Sequence, residues 1–246
     1  MDGTTPGARA DRPDAFNPST RSRVKRLAKR GAYDRATVYG ILDAGLIGHV
    51  GYVIDGQPFV TPTAYWRDGD VLYWHGSSAS RMLRHLAQGM PACLAVSHLD
   101  GLVLARSGFH HSLNYRSVMA FGRARLVEDP AQKGAALDAF LERLYPGRTL
   151  TLRPTTAQEI KATKVIAMEI EEASAKVRNG GPVDDEEDYA LPIWAGVIPV
   201  RQVIGADVPD PRLAPGIARP PHLDAFADGA ALDAVLFRYA AVREST

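Results

Sequence analysis

The stretch LIGHVGYVIDGQPFVTPTAYWRDGDVLYWH, residues 46–75, decides the fold class. It contains three runs of β-branched and aromatic residues, separated by Asp55-Gly56 and by the sequence RDGD at residues 67–70. Asp-Gly between two such runs is typical of a tight β-hairpin, because both central residues of that turn need a positive φ. The pattern predicts three consecutive antiparallel strands. It argues against a parallel doubly wound sheet, which needs a crossover helix between strands.

The flanking sequence adds strands and inserts helices between them. Apolar periodicity and turn signals predict more strands over residues 91–106, with a turn at Asp100-Gly101, over 114–128 and over 165–178. Helical periodicity with capping residues predicts helices over residues 33–45, 78–89, 129–147 and 157–164. We therefore predict a mainly β fold with inserted helices (α+β), in which six to seven antiparallel strands form a closed or nearly closed barrel.

Bulk composition excludes several classes of protein. The 246 residues carry a net charge of +1, which provides no argument for a nucleic-acid or membrane partner. The single cysteine, Cys93, cannot form an internal disulfide, and no Cys/His spacing typical of a metal site surrounds it. No apolar run approaches the roughly 20 residues of a membrane span. Because the N-terminus also lacks the apolar core of a signal peptide, we expect a cytoplasmic protein.

Composition divides the chain into three parts. Residues 1–20 are polar and rich in Pro and Gly, so we expect a disordered N-terminal arm. Residues 21–205 hold the predicted barrel. Residues 206–246 include the proline-rich sequence PDPRLAPGIARPP, and we expect this C-terminal extension to pack on the barrel or on a partner subunit.

The segment YWHGSSASRMLRHL, residues 73–86, joins a predicted strand to a predicted helix. A helix N-terminus presents unpaired N–H groups, Gly76 permits close backbone approach, and the serines that follow add hydroxyl donors. Arg81 and Arg84 are three residues apart and are therefore neighbours on the helix surface. The combination predicts a phosphate-binding corner. A serine-capped surface helix with two solvated arginines is the alternative that the residues leave open.

Two other segments place polar residues on predicted strands. In FVTPTAYW, residues 59–66, Pro62 lacks a backbone donor, which predicts an edge strand or a bulge. Backbone groups freed there would suit a planar heterocycle with imide-type donors and acceptors. In NYRSV, residues 114–118, Tyr115 and Ser117 point to one side of the strand and Arg116 to the other. The alternatives are an ordinary edge strand and a frayed strand end with solvent-facing polar residues.

The order of these segments resembles the flavin-nucleotide-binding branch of the pyridoxamine 5'-phosphate oxidase-like superfamily, which includes the nitroimidazole-resistance proteins. The resemblance spans roughly residues 26–200 and rests on the segments RLAKRGAYDRATVYGILDAGLIGHVGYVIDGQPFVTPTAYWRDGDVLYWHGSSASRMLRHL, FHHSLNYRSVMAFGRARLVED and LPIWAGVIPV. The chain lacks the arginine-rich phosphate signature and the C-terminal pyridoxal-phosphate segment of true pyridoxamine phosphate oxidases. We therefore do not expect vitamin B6 oxidation.

The resemblance implies a split β-barrel homodimer that holds FMN in a groove at the subunit interface. By analogy it assigns flavin contacts as follows: Thr61, Pro62 and Thr63 beside the isoalloxazine ring; His75, Gly76, Ser77, Ser80 and Arg81 at the phosphate end; Tyr115, Arg116 and Ser117 completing that pocket; and Trp194 near the flavin, from the same or the partner chain.

Three functions fit this reading. The first is an FMN-dependent oxidoreductase or reductase of a small organic substrate, such as a nitro-aromatic or quinone-like compound, with no catalytic side chain evident in the sequence. The second is a module that stores or senses flavin without turnover. The third is a haem-binding split barrel, for which His110 and His111 are candidate ligands unless they are surface loop residues. No spacing such as HExxH points to a dedicated metal site.

Overall fold

A computed structural model of the chain, which describes residues 13–237, contains one antiparallel sheet of nine strands. The strands are β1 Gly31–Ala32, β2 Ile47–Ile54, β3 Gln57–Asp68, β4 Val71–Ser77, β5 Pro91–Leu104, β6 Ser112–Leu126, β7 Thr163–Glu169, β8 Glu172–Arg178 and β9 Gly196–Pro199. Six of them close a ring in the order β6-β7-β4-β3-β2-β5, since β5 also pairs with β6. The predicted antiparallel barrel is confirmed.

The Asp55-Gly56 hairpin forms as predicted. Ile54 pairs with Gln57, and the two turn residues have φ values of 50° and 79°. Asp55 is one of only two non-glycine residues between 13 and 237 with a positive φ, which shows how strongly this turn depends on its residue types. The turn sets the register of β2 against β3.

The predicted turn at Asp100-Gly101 is wrong. β5 runs without interruption from Pro91 to Leu104, and the register against β6 shifts between Leu99 and Gly101, as in a β-bulge. The Asp100 carboxylate accepts hydrogen bonds from Arg116 on β6, which holds the strand in place. A Cβ on Gly101 would lie 3.0 Å from Val197 Cγ1, so the glycine permits β9 to approach.

Four helices lie wholly within the described chain and pack against the barrel: α1 Arg35–Asp43, α2 Arg81–Leu86, α3 Pro130–Leu144 and α4 Ala157–Ala162. Each has a side-chain N-cap, from Asp34, Ser80, Asp129 and Thr156, as their polar oxygens favour. The apolar faces of α1 and α2 join the barrel core, whereas α3 packs against β3 and β7. α2 is shorter than predicted, because residues 87–89 form a turn in which Gly89 has a φ of 80°.

A buried ion cluster ties α3 to the barrel. Arg143 of α3 donates to the Asp43 carboxylate and to the Asp43 carbonyl, both at 2.8 Å. Arg67 of β3 donates to both oxygens of the same carboxylate, with Nε at 3.1 Å from Oδ1. All three residues are less than 9% exposed, and they come from three elements that are distant in sequence. The shared carboxylate therefore fixes α1, β3 and α3 relative to one another.

The ends of the described chain pack on the barrel. Of the predicted disordered arm, residues 1–12 lie outside the described residues, whereas Phe16 is buried and its N–H donates to the Tyr33 carbonyl. The arm is therefore docked from residue 13 onward, because Phe16 fills a gap in the core. In the predicted C-terminal extension, Val235 and Leu236 are buried, and Asp233 binds Arg116. Between residues 13 and 237, no helix is long and apolar enough to cross a membrane.

Candidate functional site

The barrel is split between β3 and β4. Residues 65–68 of β3 pair with residues 71–74 of β4, whereas β4 pairs with β7 along its whole length, Val71–Ser77. Within the described chain, residues 57–64 of β3 therefore pair with β2 on one side and with no strand on the other. The free edge predicted from Pro62 exists, and it lies inside the fold beside α2 rather than at the outer margin of the sheet.

Five side chains connect the free edge of β3 to α2, and we call them the α2 rim: Tyr52, Phe59, Thr61, Arg81 and His85. The Arg81 guanidinium lies 4.4 Å from the ring centroid of Phe59, which stacks on Tyr52 at 5.6 Å. The Tyr52 hydroxyl shares a hydrogen bond of 3.1 Å with Thr61 Oγ1. The His85 ring is also close to Tyr52, with a distance of 6.2 Å between the ring centroids. The rim is a polar and aromatic margin of the split.

Arg81 is the cation best placed to bind an anion there. Its side chain is exposed and forms neither an ion pair nor a hydrogen bond within residues 13–237. Lys164 of β7 pairs with Gly76 at the end of β4, and alternation puts it on the same face as Ile166 and Met168 of the core. Lys164 is not recognisable as a candidate from its local sequence, because a lysine at a strand end carries no signal until β4 and β7 are known to pair.

The residues between β4 and α2 suit close approach by a ligand. A Cβ on Gly76 would lie 3.0 Å from Leu83 Cδ1, so a larger residue there would require the Leu83 side chain to shift. Ser80 Oγ accepts from the Leu83 N–H at 3.4 Å, and Ser77 Oγ accepts from the Ala79 N–H at 3.2 Å. Each hydroxyl keeps its own O–H as a donor. Donors and a free cation therefore converge where the phosphate end was predicted.

The TPT segment lies on the free edge with its side chains on two faces. Thr61 and Thr63 face the split, and Thr63 Oγ1 donates to the Ala64 carbonyl at 3.3 Å. Pro62 faces outward, opposite His49 of β2, and is exposed. Both threonine hydroxyls have partners in the described chain, whereas the backbone of residues 57–64 does not pair with β4.

The His75 side chain does not reach the split. It lies on the outer face of β4, 5.1 Å from the Phe140 ring and 5.8 Å from the Trp66 ring. Its Nδ1 is buried without a hydrogen-bond partner among the described residues. Burial lowers the pKa of His75 below its ordinary value of 6.5. Only the backbone of His75 can contribute to the site that the sequence predicted.

Replacing His75 with phenylalanine should change how stability depends on pH. Because the folded state holds this pKa below the unfolded value, the unfolded state binds more protons below about pH 6.5, and stability falls as the pH falls. We expect His75→Phe to reduce the loss of melting temperature between pH 7 and pH 5, measured by calorimetry. His111→Gln, at an exposed histidine away from the proposed dimer face, is the control, and both proteins are measured without cofactor. An unchanged pH profile in His75→Phe would contradict the assignment.

Tyr115, Arg116, Ser117 and Trp194 lie elsewhere on the chain. β5 and β2 separate β6 from β3 in the sheet, so Tyr115, Arg116 and Ser117 lie two strands away from the free edge of β3. Arg116 is engaged by Asp100 at 2.7 and 2.9 Å and by Asp233 at 3.1 Å, and the hydrogen bond to Asp100 raises its pKa. Trp194 is 66% exposed, and its ring covers Gly196. One chain therefore does not bring the whole predicted set together.

Comparison with known proteins agrees with the split-barrel fold. The family described as "Pyridoxamine 5'-phosphate oxidase" matches residues 34–177. The flavocytochrome Anf3 from Azotobacter vinelandii is 50% identical, with a TM-score of 0.82, over 88% of this chain and 100% of that one. An FAD and haem binding protein from Mycobacterium smegmatis is 38% identical, with a TM-score of 0.78, over 82% of this chain and 98% of that one. No curated protein matches the chain.

Proposed function

Because the chain belongs to the pyridoxamine 5'-phosphate oxidase family, we propose that it is a redox protein that binds a flavin nucleotide and a haem. The observation that carries this proposal is the 50% identity to a flavocytochrome over the whole length of that protein. The relative that is named for FAD and haem supports the same pair of cofactors. When bound, flavin and haem supply electron-transfer chemistry, and the protein supplies binding, orientation and electrostatics.

The split between β3 and β4 is the proposed flavin site. The free backbone of residues 57–64 suits the edge of the isoalloxazine ring, and Arg81 with Lys164 suits a phosphate. FMN and FAD both carry a phosphate on the ribityl chain, so a contact between Arg81 and that phosphate is expected with either cofactor. FMN stays our prediction from the sequence, and the flavin released from the purified protein decides between the two.

His110 and His111 are the proposed haem ligands. His111 Nδ1 lies 2.9 Å from the Ser107 carbonyl, which leaves its Nε2 free, and His110 Nε2 lies 3.3 Å from Asp185. The neighbouring Phe109 is 92% exposed, and an exposed aromatic ring of this kind is typical of a surface that binds an apolar ligand. Among residues 13–237, His, Cys, Asp and Glu side chains form no group of three suited to a bare metal ion.

The absorption spectrum of the purified protein tests the proposal. We expect a flavin band, a Soret band after haemin is added, and transfer of electrons from reduced flavin to the haem faster than free flavin achieves. Protein that takes up neither cofactor would rule out the proposal. Binding without faster electron transfer would instead favour the module that stores or senses flavin.

We further propose that two chains form a homodimer through the outer face of β2, β3, β5 and β6. On this face Val60, Ile47 and Met119 are 68%, 55% and 47% exposed, and the strand register places them around His49. Exposed apolar patches of this kind mark protein interfaces. A dimer would also bring Tyr115, Ser117 and Trp194 of one chain toward the split of the other.

Val60→Glu should convert the dimer to a monomer, because an unpaired carboxylate cannot be buried in an apolar interface without a large desolvation penalty. Sedimentation velocity measures the change, and flavin affinity should fall with it. Val208→Glu, at a residue that is 92% exposed outside this face, is the matched control. A Val60→Glu protein that sediments like the wild type would exclude this interface.

A further inference from the structure

A second cavity, of about 420 Å³, lies away from the split, and three arginines line it. Arg26 and Arg30 come from the basic segment before β1, and Arg178 ends β8. Leu27, Phe109, His110, His111, Ser112, Val183, Asp184 and Asp185 complete the lining. We call this the arginine cavity.

Arg178 is a buried charge without a counter-charge. It is 9% exposed, and its guanidinium donates to Asn114 Oδ1 and to the carbonyls of Gly180 and Gly181, the last two at 2.8 and 2.9 Å. These acceptors are neutral, and none of the carboxylates in residues 13–237 forms an ion pair with Arg178. Burial lowers the pKa of Arg178, and the charge of Arg30 adds to this effect. Burial of such a cation carries a large desolvation penalty unless an anion pairs with it.

The two acidic residues of the cavity already have other partners. Asp184 accepts from the Arg106 N–H at 2.8 Å and from its guanidinium at 3.0 Å. Burial by itself would raise the pKa of Asp184, and these hydrogen bonds outweigh it and lower the pKa. Asp185 lies 3.3 Å from His110. Arg26 and Arg30 form no ion pair with any described residue, so positive charge prevails on the remaining wall.

The rest of the lining is apolar and aromatic. Three large apolar side chains border the arginines: Phe109, Val183 and Leu27, which are 92%, 69% and 42% exposed. The imidazoles of His110 and His111 lie on the same border. A ligand that contacts both the arginines and the apolar side chains of the cavity has an apolar body and more than one negative group.

We propose that the arginine cavity is an anion-binding site that takes the two carboxylates of the haem, with Arg178 and Arg30 as the principal partners. This inference rests on the proposed function for the identity of the ligand, and on the uncompensated arginines for the site itself. Carboxylates and phosphates are both bound well by guanidinium forks, so a phosphate of a flavin nucleotide is the other source of the same chemistry.

Titration with two porphyrins tests the assignment. Cofactor-free protein is titrated with haemin and with haemin dimethyl ester, whose carboxylates are masked, and the Soret band reports binding. We expect Arg178→Gln and Arg30→Gln each to weaken haemin binding by about tenfold, as loss of a charge-assisted bond implies, and to change ester binding by less than about threefold. Lys29→Gln, in the same short 3-10 helix as Arg30 and outside the cavity, should match the wild type.

Each remaining outcome decides the question. Wild-type affinity for haemin in both arginine variants would overturn the proposal, and Arg30→Gln keeps this test valid if Arg178→Gln folds poorly. Variants that lose affinity for FAD but keep it for haemin would overturn the haem assignment and make the anion a flavin phosphate. If the wild type binds no haemin, the proposed function fails separately. The site is then tested with inorganic pyrophosphate, whose stabilising effect on the melting temperature must vanish in Arg178→Gln.

Discussion

Replacing Asp43 with asparagine is expected to lower the free energy of unfolding by about 3–5 kcal/mol, because two buried arginines would lose their shared carboxylate. Arg143 is 5% exposed, and its guanidinium donates to the carboxylate and to the carbonyl of Asp43. Arg67 also donates to the Gly69 carbonyl at 2.9 Å, so it is held in part by a second group. The effect should therefore be transmitted mainly through α3. Urea unfolding of the cofactor-free protein measures the change.

Asp138→Asn is the matched control for this substitution. Asp138 is an exposed residue on α3, and substitutions at such positions usually change stability by less than about 0.5 kcal/mol. A second variant, Asp43→Leu combined with Arg143→Met and Arg67→Met, removes all three charges of the cluster together and should recover part of the loss, since apolar residues of similar volume can substitute for buried ion pairs. A loss below about 1 kcal/mol in Asp43→Asn would contradict the role of the cluster.

Replacing Arg81 with alanine is expected to weaken the binding of FMN by about 10- to 100-fold, which corresponds to roughly 1.5–3 kcal/mol. The physical reason is that Arg81 has no carboxylate partner in the described chain and lies at the split, where a phosphate would be its counter-charge. The same substitution removes the contact with Phe59 at 4.4 Å, so some loss of packing at the rim accompanies the loss of charge. Fluorescence titration of the cofactor-free protein measures the affinity.

Two comparisons separate the charge from the packing. Riboflavin lacks the phosphate, so its affinity should be low in the wild type and nearly unchanged by Arg81→Ala. Arg81→Lys keeps the charge without the planar fork and should give an intermediate FMN affinity. Arg212→Ala, at a side chain that is 92% exposed in the C-terminal extension, should leave FMN binding unaffected. Equal FMN affinities of wild type and Arg81→Ala would remove Arg81 from the site.

Sequence reasoning succeeded where the relevant interactions are local. The Asp55-Gly56 hairpin, the N-caps at Asp34 and Asp129, and the corner at Gly76 each depend on a few neighbouring residues. It failed at Asp100-Gly101, because the same dipeptide forms a turn or a bulge according to what pairs across the strand. Here Arg116 and β9 select the bulge.

The barrel class could be predicted from the residues alone, because alternation of polar and apolar residues decides which face of each strand is buried whatever its neighbour is. The α2 corner and the resemblance that pointed to flavin were also apparent at that level. Three features emerge only from the folded chain: the barrel opens between β3 and β4, Lys164 pairs with Gly76, and Arg178 is buried without a counter-charge. These features depend on pairings between distant segments, such as that of Asp43 with Arg143 across 100 residues, and no local pattern encodes where a charge finds its partner.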